Sequence, residues 1–527
     1  MKLFKINIAL GLTAVVIFTA CQKKFEDYSQ NNNLPQSVPP GVVLRSILGD
    51  VGNSVSPGGT SDKASQYIVS NYTYYGDNKY WTGSADLNYG TLNNVISMED
   101  LANKAYGGDN MNPYHALGLF LRAYFFVNMS EKVGDLPMTE ALQRINNIAP
   151  KYDSQKDIFK QSLAWLDSAN IILAANIANG VLEFSGDFYF NPSDASTNVP
   201  EALVHWQKVV NSYRLRVLTE LSKKADDADL NVKAQFAAIL ADPGKYPLIS
   251  SNDDNLQYVY NSTYNYYPDN PQNYGNNAGR LNVAATYLNT LSSLNDLRAM
   301  VIAEPARGLG FPDNDFRSFK GGESGDDLGT LATESGAGRL SLYNFNHYYS
   351  TYTAEPTMIV GYAETCLNIA EAINRGWATG SADTWYQNGV KAMFDFYGIA
   401  DGANTVVFRK ADGTGNLTYD VTFNFTDYFN QAAVKYAGDN ATGLAQILTQ
   451  KYLAYFRNSG FQGYYTWRRT GIPTFSTGTG TGNGGIIPLR FQYPTNETST
   501  NGDNLKAALQ SQYGGDDDIN KNVWIVQ

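Results

Sequence analysis

The sequence predicts a mainly α fold in which antiparallel helix pairs, packed in a tetratricopeptide-like manner, display long irregular ligand-binding loops. Three observations predict it. Apolar residues recur at helical spacing in six segments, residues 112–130, 153–173, 200–224, 362–377, 385–399 and 443–458. Between them, residues 181–199, 249–280, 303–354, 401–426 and 472–503 are rich in Gly, Asn, Asp, Ser, Thr and Tyr. Loops of that length are usually functional or disordered, and their aromatic content argues against disorder. The chain of 527 residues is also 43% hydrophobic, enough for a well-packed body.

The elements follow in order. Lys2 and Lys5 form a basic start, and Ile6 to Ala20 form an apolar run too short to span a bilayer comfortably. Cys21 follows Thr19 and Ala20 directly, a pattern that resembles a bacterial lipobox, although Phe18 departs from the usual Leu. The expected division is a lipoprotein signal peptide at 1–20, a lipid-anchored flexible leash at 21–40 and one domain at 41–527. Each buried lipid methylene contributes about 0.8 kcal/mol, so several acyl chains tether a soluble body firmly. The only other cysteine, Cys366, lies in a helical pattern and is expected to be a small buried hydrophobe.

In 112–130, Leu117, Phe120, Leu121, Tyr124 and Phe125 mark one buried face. In 153–173, Asp153 or Ser154 caps a helix that buries Phe159, Leu163 and Leu166. In 200–224, Leu203, Trp206, Val210, Tyr213, Val217 and Leu221 do the same. Tyr362, Cys366, Ile369 and Ile373 share a face of the next helix, with Glu364, Asn368, Glu371 and Arg375 on another. No clean 34-residue repeat is visible, so the pattern supports helices more strongly than a solenoid.

The net charge of −11 disfavours nucleic acid as a partner. Tyr outnumbers Phe by 37 to 25, which points to rings used at wet surfaces. The stretch NYTYYGDNKYWTG at 71–83 concentrates them in polar surroundings, as do QYVYNSTYNYYPDNPQNY at 257–274 and YNFNHYYSTY at 343–352. Flat rings cover the apolar face of a sugar, and Asn or Tyr hydroxyls satisfy its rim. The expected ligand residues are Tyr74, Tyr75, Asn78, Tyr80 and Trp81, with Tyr264, Tyr266 and Tyr267. Replacing Tyr80 and Trp81 by Ala is expected to abolish polysaccharide binding at nearly constant melting temperature.

Enzyme motifs are absent or out of context. His115, His205 and His347 lack metal-ligand spacing, and neither HExxH nor GxSxG occurs. Gly480, Gly482 and Gly485 spell GxGxxG but lead into IIPLRFQYP instead of a helix, so a loop is expected. No cofactor is indicated; Ca²⁺ at Asp253–Asp254 or Asp516–Asp518 is unsupported, because the alternating spacing of a calcium loop is missing. Arg468 and Arg469 are expected in a buried network, and Glu364 and Glu371 on an ordinary polar face rather than as a catalytic pair.

Several segments together resemble the SusD/RagB-like outer-membrane lipoproteins of Bacteroidetes. LRAYFFVNMSEKVGDLPMTEAL carries Arg122, Gly134, Asp135, Pro137 and Glu140, and YDSQKDIFKQSLAWLD carries Tyr152 and Asp153. Ala370, Glu371, Ala372, Gly376, Tyr386 and Gly389 match a later helical segment. Gln450, Lys451, Trp467, Arg468, Arg469, Gly471, Pro473, Arg490, Tyr493, Pro494 and Trp524 close the set, in the expected order over nearly the whole chain. The resemblance implies a SusD-like fold without catalysis. It further implies a surface lipoprotein that captures glycans and passes them to a SusC-like TonB-dependent transporter, with contact to the membrane through the anchor alone. A peptide ligand, as in RagB-like members, is the alternative; a lipid-anchored glycoside hydrolase is a more distant one.

Overall fold

A computed structural model describes residues 38–527. Cys21, the signal peptide and the leash up to residue 37 lie outside the described residues.

Amphipathic helices build the first half. They are α1 (Pro40–Asn53), α2 (Tyr89–Ala105), α3 (Pro113–Val133), α4 (Gln155–Ala178), α5 (Val199–Glu220) and α6 (Val232–Ala241). Consecutive members pack on one another, α3 on α4 and α4 on α5, although long segments at 134–154 and 179–198 connect them. Asn112 starts α3 by accepting the His115 amide at 3.0 Å, and Ser154 starts α4 by accepting that of Asp157 at 3.1 Å. Asp153 instead staples the preceding turn, where its carboxylate accepts the Met138 and Thr139 amides at 2.8 and 2.9 Å.

The second half carries α7 (Tyr362–Asn374), α8 (Ala382–Phe396), α9 (Ala441–Ala454), α10 (Gln462–Thr470) and α11 (Gly502–Tyr513). Gly389 lets α8 approach α7 closely, since a Cβ there would stand 2.7 Å from Leu367 and 3.0 Å from the Ala363 carbonyl. Among the described residues three two-stranded antiparallel sheets tie the loops down. They pair β1 (Ile68–Ser70) with β3 (Leu281–Val283), β2 (Leu256–Tyr258) with β4 (Thr357–Val360), and β5 (Gly402–Arg409) with β6 (Asn416–Phe423).

The last pair corrects an expectation: residues 401–426 contain a hairpin. Val406 and Phe408 turn inward while their neighbours stay half or fully exposed, the alternation that marks a half-buried strand. Two large cores result. One is filled by α1–α6 together with Val523, Ile525 and Val526 of the C-terminus. The other, Tyr-rich, lies beneath the loops and is shared by α7–α10 and the hairpin. Cys366 is buried as expected, and burial pushes its thiol up to about 12.

Candidate functional site

The aromatic loops converge on the second core. Asn71 draws the first loop onto the 279–282 segment by donating to the Gly279 carbonyl at 3.1 Å and to Asn282 Oδ1 at 2.7 Å. The Tyr267 amide donates to the Tyr352 carbonyl at 2.8 Å, which joins the second loop to the third. Tyr266 and Tyr352 rest against each other with ring centroids 4.6 Å apart.

These ties divide the expected ligand residues. Tyr74 and Tyr264 are 77% and 86% exposed, and Tyr72, in the same loop as Tyr74, is 50% exposed. Tyr266 is half-buried. The Arg280 guanidinium lies 4.8 Å over the Tyr72 ring and 5.6 Å over that of Tyr74, giving this edge a cationic roof. The side chain of Tyr75 lies outside the described residues.

Three expected residues face inward and are corrected. Tyr80 is only 7% exposed, and its hydroxyl donates to the Ala64 carbonyl at 2.9 Å. Tyr267 is fully buried, edge-on to Tyr260 and stacked on Tyr348. Asn78 spends its amide on the loop itself, accepting the Ser70 amide at 2.7 Å and donating to the Ser70 carbonyl at 2.8 Å. Trp81 is half-buried, stacked on Phe491 at 3.9 Å, with Nε1 donating to the Arg490 carbonyl at 2.8 Å. Its indole therefore clamps the loop to the scaffold, with little face left to offer.

The polar context misled because the asparagines serve the backbone. Asn261 Oδ1 accepts the amides of Thr263 and Tyr264, each at 3.0 Å, and Asn270 Oδ1 accepts that of Gln272 at 3.0 Å. Such turns satisfy the chain locally and free the neighbouring rings to pack inward.

Below the loops sits Arg457, which no motif singled out. It is buried among Tyr267, Tyr343 and Tyr348 at 5.2, 4.8 and 4.7 Å and bonded to Asp269 at 2.5 Å. Burial pushes neighbouring Asp62 up to about 6, against the pull of Arg457. This cation in an aromatic box fixes the floor on which the exposed tyrosines stand.

The signature arginines lie elsewhere, in the interior. Arg468 pairs with Glu131 and donates to the Leu489 carbonyl at 2.9 Å. Arg469 grips Glu371 at 2.5 and 3.0 Å. Burial pushes Glu371 up, but Arg469, Lys451 and Arg375 outweigh it and hold the carboxyl well below the usual carboxylate range. Glu364 pairs with Arg216 and accepts the Tyr455 hydroxyl at 3.0 Å. Both glutamates are thus tied to arginine in the core. Each histidine faces its own carboxylate: His115 meets Glu99, His205 meets Asp254 and His347 meets Glu355. Among the described residues no group of three or more His, Cys, Asp or Glu side chains is gathered to hold a metal, and no helix is long and apolar enough to cross a membrane.

Comparison with known proteins places this architecture. Residues 35–494 match the model of the SusD-like family, described as starch-binding and associating with the outer membrane. A SusD homologue from Bacteroides fragilis is similar at 27% identity and a TM-score of 0.78, over 93% of this chain and 100% of that one. An outer membrane protein of Bacteroides vulgatus, assigned to nutrient binding, is similar at 29% identity and a TM-score of 0.76, again over 93% and 100%. A chitin-binding SusD homologue from Flavobacterium johnsoniae shares the fold at 21% identity and a TM-score of 0.66, over 92% and 97%. No curated protein matches the sequence.

Proposed function

The chain belongs to the SusD-like family, and on that premise we propose that it is a glycan-binding lipoprotein of the outer-membrane surface, anchored through Cys21. It captures oligo- or polysaccharide and delivers it to a partner SusC-like TonB-dependent transporter, without chemistry of its own.

One observation carries the reading. Tyr74 and Tyr264 remain mostly exposed on loops that are themselves tied down, the Tyr74 ring with the Arg280 guanidinium over one face. Leaving an aromatic face in water forgoes the ~1.5–3 kcal/mol of burying it, which is sensible where a ligand covers it later. Each stacked sugar adds on the order of 1 kcal/mol beyond area burial, so a few rings give weak, reversible capture suited to hand-over.

The test is an array carrying neutral and acidic glycans alongside peptides, probed with the purified protein. Retention on glycans and not on peptides is expected. Retention on peptides alone, or release of reducing ends from any bound polymer, contradicts the proposal. Labelled palmitate incorporated into the wild type and lost in Cys21→Ala checks the anchor.

A further inference from the structure

A cavity of about 320 Å³ is walled by Tyr274, Phe345, Glu304, Arg307, Arg409 and Lys410. It is joined to the first aromatic loop through Ser335, which also lines it and accepts a hydrogen bond from Asn71 at 2.9 Å. Its electrostatics depart from those of an acidic chain. Arg409, the last residue of β5, lies with its guanidinium 4.0 Å over Phe345 and 4.6 Å over Tyr274. Those two rings meet edge to face at 4.7 Å and so form a corner that holds the cation flat.

The carboxylates nearby are already spent. Glu304 accepts the Phe345 amide at 3.0 Å and the Arg409 amide at 3.1 and 3.2 Å. Asp313 takes Arg307 at 2.9 Å, while Arg307 also donates to the Arg409 carbonyl at 2.8 Å and so braces the end of the strand. Among the described residues no carboxylate forms a salt bridge with Arg409 or Lys410, although the Asp412 carboxylate, bonded to Thr414, lies close enough to feel the Lys410 charge; the Arg409 side chain donates to the Gly413 carbonyl at 3.1 Å. The cavity therefore presents a pre-oriented guanidinium with unspent N–H groups, an ammonium beside it and two aromatic faces. A planar fork of that kind suits an oxyanion, and the rings suit a sugar face.

We infer that this cavity binds the anionic substituent, a carboxylate or a sulfate ester, of an acidic sugar whose neighbouring residues lie on the exposed tyrosines. The inference rests on the glycan-binding reading and names the class of glycan. Arg409 is the specificity-determining residue, and Lys410 adds attraction at the rim.

The experiment titrates the wild type, Arg409→Gln and Arg409→Lys with polygalacturonate, its carboxyl-reduced neutral counterpart and κ-carrageenan, with melting temperature as the control for folding. The wild type is expected to bind an acidic polymer about tenfold more tightly than the neutral one, despite the repulsion of a chain of net charge −11, with an advantage that shrinks as salt rises. Arg409→Gln removes that advantage and leaves the neutral polymer unchanged; Arg409→Lys keeps part of it. An Arg409-dependent preference for polygalacturonate assigns the carboxylate, and one for κ-carrageenan assigns the sulfate ester. Equal binding of acidic and neutral polymers, or an equal loss on both in Arg409→Gln, overturns the inference. Binding of neutral glycans alone sinks it and leaves the proposed function standing, whereas failure to bind any glycan sinks both.

Discussion

At the scale of single residues, tyrosine plays two roles that composition could not separate. The surplus suggested wet rings, yet Tyr67, Tyr386 and Tyr452 are buried, with hydroxyls donating to the carbonyls of Tyr452 at 2.8 Å, Val434 at 2.8 Å and Ser65 at 3.0 Å. A buried phenol is affordable when its hydroxyl finds a backbone acceptor, and a loop-rich protein exposes many such carbonyls. Tyr80→Ala is accordingly expected to destabilise the fold by about 3 kcal/mol through a cavity and a lost bond, seen as a lower denaturant midpoint. Tyr74→Ala should leave that midpoint within about 0.5 kcal/mol of wild type. A Tyr80→Ala variant of native stability would mean that the loop packs differently. The polar surroundings suggested exposed rings at all four positions; Tyr74 and Tyr264 are exposed, whereas Tyr80 and Tyr267 are buried. What separates them is which side of the turn each ring leaves from: Tyr80 and Tyr267 point into the second core, whereas Tyr264, whose amide is held by the same kind of asparagine turn, points out. Arg409 went unnoticed because its aromatic partners come from segments distant in the chain.

At the scale of elements, the helices were the most readable part. The 3.6-residue period over 153–173 corresponds to α4, which buries one stripe, whereas the helix read over 112–130 is α3, which is buried on nearly every side. The hairpin of β5 and β6 was passed over because Gly, Asn and Asp at 401–404 and 412–416 dominated the reading of two short alternating strands. The turn after α3 explains why its signature glycine stands there. Gly134 has φ 98°, and a Cβ on it would meet Gln512 Oε1 at 2.2 Å and Tyr513 Oη at 2.4 Å. Those side chains dock α11 onto the end of α3, since Gln512 accepts the Asp135 amide at 2.8 Å and Tyr513 donates to the Val133 carbonyl at 2.8 Å. Gly134→Ala is expected to cost about 1–3 kcal/mol and to raise hydrogen exchange in α11 before other helices. Unchanged exchange in α11 would show that its docking does not depend on this turn.

At the scale of the whole molecule, buried charge ties the two cores together and sets the response to pH. Arg216 of α5 pairs with Glu364 of α7, and Arg469 of α10 grips Glu371 of α7 while reaching Glu220 of α5 at 3.8 Å. Breaking such a pair by removing one partner typically costs about 3–5 kcal/mol. Burial raises Asp62, Asp135 and Asp187 from 3.8 to about 6, and raises Glu131 and Glu304 above their ordinary value as well. The folded state therefore holds their protons more tightly than the unfolded chain, and stability rises as pH falls from 7 through 6 towards 4. Glu371 acts in the opposite sense: its carboxyl is depressed, so its contribution is present above the ordinary value of 4.5 and fades as pH drops below it. The melting temperature is expected to peak on the acid side, at about pH 5, and a scan that climbs steadily up to about pH 7.5 would contradict this.

The proposed role of the exposed rings of Tyr74 and Tyr264 is tested most directly by the mobility of Tyr74→Ala/Tyr264→Ala in native gels cast with the polysaccharide that retards the wild type. The expected result is migration equal to that in a polysaccharide-free gel, at a melting temperature matching the wild type. Full retardation of the double variant would place the binding surface away from these loops.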